Sequence, residues 1–221
     1  MKRPGGEQRI PRPTNWRPGE PAPWHGATTR LDAASVAQTL LVLDRPVDAV
    51  PTFPGARLSA VLIVLRDGVD GAEVLLTRRS MSLRHHKGEI SFPGGRVDPG
   101  EEPDDAARRE AFEEVAMPLD AVEIVGHLQP ISTVVSLSLI VPVVGVLHSD
   151  PVLVPAEAEV DRILWVSLAD LVSEHTYREE WWGEPPLDRS IHFFELDDET
   201  IWGATARLLH QLLVVAHQLG G

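Results

Sequence analysis

The chain has 221 residues, 43% hydrophobic and 24% charged, with a formal charge of −13. That length suits one domain with extensions, and the apolar fraction suffices for a sizeable core. With no cysteine, disulfides, thiolate metal sites and a cysteine nucleophile are excluded, while the negative charge opposes general nucleic-acid binding.

Residues 1–30 hold six prolines and little apolar periodicity, which predicts an extended or flexible arm. Six basic and two acidic residues give this arm +4 and leave −17 on the remainder. A basic arm can fold over an acidic body or an anionic ligand, with Trp16 and Trp24 to dock it, but the composition favours a floppy tail. Met1-Lys2-Arg3 leads into Pro4-Gly5-Gly6 rather than an apolar stretch, so no export signal is expected and the expected location is cytoplasmic. From Asp32, the run Ala33 to Val42 reads as an extra helix before Pro46, Pro51 and Pro54 break the chain. A single domain is expected over 31–221, its folded body starting near Arg57.

Leu58 to Leu65 and Val74 to Thr77 are short β-branched apolar runs separated by Asp67-Gly68 and Asp70-Gly71, the pattern of a strand hairpin. Ile90 to Phe92, Val122 to Leu128, Val134 to Leu147, Ile163 to Val166 and Ile191 to Leu196 also read as strands. The longest apolar run, Leu139 to Leu147, contains Pro142 and falls far short of the ~20 residues that span a bilayer, so no membrane partner is expected. After Trp202-Gly203, Ala206, Leu208, Leu209, Leu212, Leu213 and Ala216 form the apolar stripe of a long C-terminal helix. Strands with one helix among them and another at the end predict an α/β sandwich with a mixed sheet between helices. The extra N-terminal helix and Trp181-Trp182 are candidate homodimer interface.

The informative stretch is Gly94 to Met117. Seven acidic side chains between Glu101 and Glu114 face only Arg108 and Arg109. Pro103 suits a first helical position, with Asp104 and Asp105 where the helix dipole favours negative charge. On that helix Glu110, Glu113 and Glu114 share one face at i, i+3 and i+4. Like charges so placed repel, and a bound hard cation explains them better than a solvated acidic face. Oxygen-only ligands point to Mg²⁺ or Mn²⁺.

The stretch resembles the Nudix hydrolase box: Gly95, five residues, Glu101, seven residues, Arg109-Glu110, an apolar residue, any residue, Glu113-Glu114. Ala116 stands where that box usually has glycine, so a positive φ there would be strained. Just upstream, Leu75-Leu76-Thr77, one residue, Arg79-Ser80, three residues, Arg84, three residues, Gly88, three residues and Phe92-Pro93-Gly94-Gly95 is similar to the signature of the coenzyme A pyrophosphatase subfamily. The two motifs span 75–117 without interruption.

The resemblance implies a Nudix-type α/β/α sandwich and hydrolysis of a nucleoside-diphosphate-linked small molecule. For coenzyme A or a derivative the products would be 3′,5′-ADP and 4′-phosphopantetheine. The alternatives are ADP-ribose, dinucleotides or oxidised nucleoside triphosphates, and, from another class, a nucleotide-sensing module without turnover. Metal ligands would be Glu110, Glu113, Glu114 and the carbonyl of Gly94. Arg109 would pair with Glu101 and Glu113 to hold loop against helix. Glu113, Arg109 and Glu101 are thus counted with the catalytic set, as is Glu159, the candidate general base beyond the box, with Glu157 its rival. Arg79, Ser80 and Arg84 are the expected substrate contacts, since arginine can grip phosphate bidentately, although such arginines also serve to neutralise nearby carboxylates. Arg78, Lys87, His85 and His86 are read as structure or solvent.

Overall fold

The computed structural model describes residues 5–25, 30–43, 54–133 and 137–218. Pro46, Pro51 and the first three residues of the strand expected from Val134 lie outside them. The elements run β1 (Trp16–Pro18), α1 (Ala33–Leu41), β2 (Arg57–Gly68), β3 (Gly71–Arg79), β4 (Ile90–Ser91), β5 (Gly94–Arg96), α2 (Pro103–Val115), β6 (Val122–His127), β7 (Ile131–Thr133) and β8 (Ser138–Leu147), followed by β9 (Val160–Ser167), α3 (Leu168–Val172), β10 (Tyr177–Trp182), β11 (Arg189–Glu195), β12 (Thr200–Trp202) and α4 (Gly203–Gln218).

The predicted hairpin is β2–β3, closed between Gly68 and Gly71; Gly71 turns the chain at φ +106°, where a side chain would be strained. The main sheet is mixed. β2 runs parallel to β8, while β3, β4, β5, β6, β7 and β9 join by antiparallel pairing. Alternation along β2 sends Ala60, Leu62 and Val64 to one face and Ile63 and Leu65 to the other. Both faces are covered, which explains an apolar run without polar alternation. On the first face lies α2, through the small residues Ala106, Ala107, Ala111 and Val115. On the second lie α1 and α4, through Val36, Leu40, Leu208, Leu209, Leu212 and Leu213. This is the expected α/β/α sandwich.

A second sheet was not foreseen. It is antiparallel, in the order β1-β10-β11-β12. Its edge strand β1 belongs to the segment expected to be a floppy tail, and that expectation fails for residues 5–25. Trp24 is buried in the main core and stacks on Phe194, Arg12 donates from Nε to Glu180 at 2.9 Å, and Gln8 bonds Glu199. The prolines limit the chain entropy lost in docking, and the apolar indole of Trp24 supplies a driving force. Trp16 stays on the surface under the Arg12 guanidinium. Trp182, offered above as interface material, is buried and donates its ring N–H to Glu180 at 2.8 Å.

Candidate active site

Helix α2 begins at Pro103 and ends at Val115, capped by Ala116, which adopts the left-handed conformation at φ 55° and ψ 33°. Met117 N–H then bonds back to the Ala111 carbonyl at 3.2 Å, a six-residue helix closure that normally favours glycine. The substitution noted in the sequence therefore leaves the helix exit in place and charges it with backbone strain.

Arg109 organises the carboxylates. Its Nε and Nη2 grip Glu101 bidentately at 2.9 and 3.1 Å, and its Nη1 reaches Glu110 at 2.9 Å and Glu113 at 3.3 Å. Nη2 also donates to the Arg96 carbonyl at 2.9 Å. The expected pairing with Glu101 and Glu113 is present. The contact to Glu110 and the backbone contact were missed, the latter because a carbonyl leaves no mark in side-chain identity. Shared among these acceptors, the guanidinium is held firmly charged, Glu101 being the largest cause and Glu110 the next.

Glu114 is different. Its side chain is only 4% exposed, and its nearest cation is Arg79 Nη1 at 4.0 Å. The Gly94 N–H donates to it at 3.3 Å. Burial pushes its carboxyl up to about 8, against the opposing pull of Arg79 and the Gly94 N–H and with further upward pressure from Glu110 and Glu159. Burial also raises Glu110, Arg109 opposing and Glu113 and Glu159 adding to the rise. Gly95 faces Glu110 closely; a Cβ there would fall 2.4 Å from the carboxylate carbon. A Cβ on Gly94 would fall 2.4 Å from the Ala60 carbonyl oxygen. The glycine pair thus lets strand backbone pass directly beneath the acidic helix face.

Glu159 and Glu157 are both exposed, and Glu159 adds to the upward pressure on Glu110 and Glu114. Its loop is stitched to the end of α2 by Val154 N–H to the Val115 carbonyl at 3.0 Å and Ala156 N–H to the Glu114 carbonyl at 2.9 Å. Ser80 N–H bonds the Glu159 carbonyl at 2.8 Å, while its buried hydroxyl meets Ser82 Oγ at 2.9 Å. The Ser80 side chain is thereby occupied within the protein, and its backbone N–H ties the Glu159 loop to the end of β3. At the end of β3 the pairing with β9 shifts register between Arg78 and Arg79, an irregularity that re-aims side chains. Arg79 turns toward Glu114, and Arg78 pairs with buried Glu199 at 3.3 Å. Arg84 is exposed and has no ion-pair partner among the described residues.

Among the described residues, no three carboxylate or imidazole side chains close on one point, since Glu110 and Glu113 are both drawn to Arg109. The donors are nevertheless all oxygen, and Glu114 is short of positive charge where it is buried. That chemistry fits a hard divalent cation.

A NUDIX domain model matches residues 56–189. The chain is 37% identical over 146 residues to the uncharacterized Nudix hydrolase NudL of Photorhabdus laumondii, covering 63% of this chain and 74% of that protein. Nudix hydrolase 22, chloroplastic, of Arabidopsis thaliana is 36% identical over 171 residues, or 72% of this chain, which spans only 55% of that relative's length. In fold, a MutT/nudix family protein of Enterococcus faecalis superimposes with a TM-score of 0.50 at 16% identity over 75% of this chain and 63% of its own. No helix among the described residues is long and apolar enough to cross a membrane. With the box carboxylates on α2, their arginine clamp and the matched domain all in register, the chain belongs to the Nudix hydrolase family.

Proposed function

We propose that the chain hydrolyses the diphosphate link of coenzyme A or a derivative, releasing 3′,5′-ADP and 4′-phosphopantetheine, with Mg²⁺ or Mn²⁺ as cofactor. One observation carries the substrate reading: the segment that precedes the box brings Arg79 to within 4.0 Å of Glu114 and leaves the Arg84 guanidinium exposed. A substrate with a diphosphate and a further phosphate suits such arginines.

Glu110, Glu113, Glu114 and the Gly94 carbonyl would hold the cations. When bound, divalent ions neutralise the diphosphate, polarise the phosphoryl oxygen and lower the pKa of water. Arg109 and Glu101 keep the loop and helix in register, so that the acidic face is preorganised. Glu159 accepts a proton from the attacking water. As the new oxygen–phosphorus bond forms, the bond from that phosphorus to the bridging oxygen breaks, and the departing phosphate takes the electron pair.

The test is a panel of coenzyme A, ADP-ribose, a dinucleotide and nucleoside triphosphates, each with Mg²⁺ or Mn²⁺, read by product identity and kcat/KM. Coenzyme A is expected to exceed the others by about tenfold or more, with 3′,5′-ADP released. A preference for another member overturns the coenzyme A reading and leaves the family chemistry standing. Binding without turnover of any member assigns the chain to nucleotide sensing instead.

A further inference from the structure

A groove of about 800 Å³ opens beside the segment that precedes the box, within the size range of small-molecule sites. Three parts of the chain wall it: the N-terminal segment through Arg9, the β3–β4 loop through His86 and Glu89, and the second sheet through Trp182, Arg189 and Trp202. It adjoins the carboxylate site, because Arg79 N–H bonds the Glu89 carbonyl at 2.9 Å while the Arg79 guanidinium faces Glu114.

The cations of this region divide in two. Arg12 and Arg17 are used by the fold, on Glu180 and Asp188. Arg9 and Arg189 are exposed at the groove and make no ion pair among the described residues. Glu89 is taken by His86 at 2.9 Å. The groove therefore presents two free guanidinium groups in a chain of charge −13. One wall carries indole: half-buried Trp202 lies 6.3 Å from the ring of Trp182, which is itself buried and fixed by its bond to Glu180. Indole faces suit a planar base, and free guanidiniums suit phosphate. A neutral pantetheine chain has no use for unpaired arginines.

We propose that this groove receives the phosphorylated nucleoside end of the substrate, its base against Trp202, which Trp182 backs, and its ribose phosphate on Arg9 and Arg189. The proposal rests on the coenzyme A reading above and makes the N-terminal segment a determinant of specificity.

The experiment compares Arg9→Ala and Arg189→Ala with the unaltered enzyme on coenzyme A and on coenzyme A lacking its 3′-phosphate. Arg207→Ala, an exposed cation on α4 outside the groove, controls for net charge, and thermal midpoints check folding. Each groove variant is expected to raise KM for coenzyme A about tenfold, the loss of one hydrogen bond to a charged group, with a much smaller change for the substrate without the 3′-phosphate. Arg9→Lys is expected to recover part of the loss, and Arg207→Ala to move neither KM. An unmoved KM for coenzyme A, or equal shifts for both substrates, overturns the groove assignment while the coenzyme A reading stands. If the unaltered enzyme does not turn over coenzyme A, that reading fails separately, and 3′,5′-ADP binding with Mg²⁺, followed by tryptophan fluorescence, decides the groove. Weaker binding in both arginine variants supports it; unchanged binding, or none to the unaltered enzyme, overturns it.

Discussion

Two regions of this molecule bury carboxylates, and they treat them in opposite ways. In the second sheet and its borders, Glu180 receives Arg12, Arg178 and the Trp182 ring N–H, while Glu199 receives Arg78, Arg162 and Gln8. Both are almost fully buried and both are compensated within the chain. Glu114 is just as buried, yet it has one backbone N–H at 3.3 Å and one arginine at 4.0 Å, with Glu110 and Glu159 adding repulsion. A buried charge needs partners. Where the chain supplies them the acid ties structure together, and where it withholds them the acid waits for a ligand.

The contrast is broken most directly at Glu114. Glu114→Gln is expected to cut kcat by about 10³-fold or more, an effect of the size seen when a group stabilising developing charge is removed, while the metal-free thermal midpoint holds or rises. Activity within an order of magnitude of the unaltered enzyme would remove Glu114 from the metal site.

Next in size is the opposite substitution. Glu199→Ala removes the buried partner of Arg78 and leaves Arg162 only Asp198, and is expected to cost roughly 1–3 kcal/mol in denaturant unfolding with the metal requirement for turnover unchanged. A loss of metal dependence would erase the distinction between the two regions.

The pH dependence of metal-free stability sharpens the same point. Glu114 titrates at about 8 in the fold against an ordinary 4.5. Between those values the native state holds the extra proton, so this group's contribution is full below about 4.5 and is lost as pH rises through about 8. Metal binding displaces that proton. In the presence of a chelator, the thermal midpoint is therefore expected to fall from pH 6 to pH 8.5, and Mg²⁺ to raise it more at the higher pH. A Mg²⁺ shift that is equal at both values would contradict a protonated Glu114.

The smallest expected effect concerns the end of the acidic helix. Ala116→Gly relieves left-handed strain of about 1–2 kcal/mol and restores some unfolded-state entropy, for a net gain of about 0.5–1 kcal/mol in denaturant unfolding. A net loss would show that the Ala116 methyl packs usefully at the helix exit.

Much of the site was legible in one dimension because its decisive contacts are local. Glu110, Glu113 and Glu114 sit within one helical turn, and Arg109 lies on the same helix, eight residues from Glu101. The hairpin β2–β3 and the stripe of α4 were legible for the same reason, since periodicity reports which faces are buried. What escaped were features whose partners lie far along the chain. β1 pairs with β10 across more than 150 residues, and β10 itself, reading YREEWW, buries Glu180 against Arg12 and its own Arg178, so its pattern does not resemble a strand with one dry face.

The sequence by itself determined the acidic helix face, because 3.6 residues per turn converts spacing into a shared face, while the arginine clamp on Glu101 was implied by the resemblance to the Nudix box. Only the tertiary structure decided that Arg79 faces Glu114 while Arg78 turns to Glu199, that the Glu159 backbone is tied to Ser80, and that a proline-rich segment becomes a wall of the molecule. Each of those outcomes depends on strand register and on burial of charge, which are set by contacts between distant segments and by the removal of water from between them.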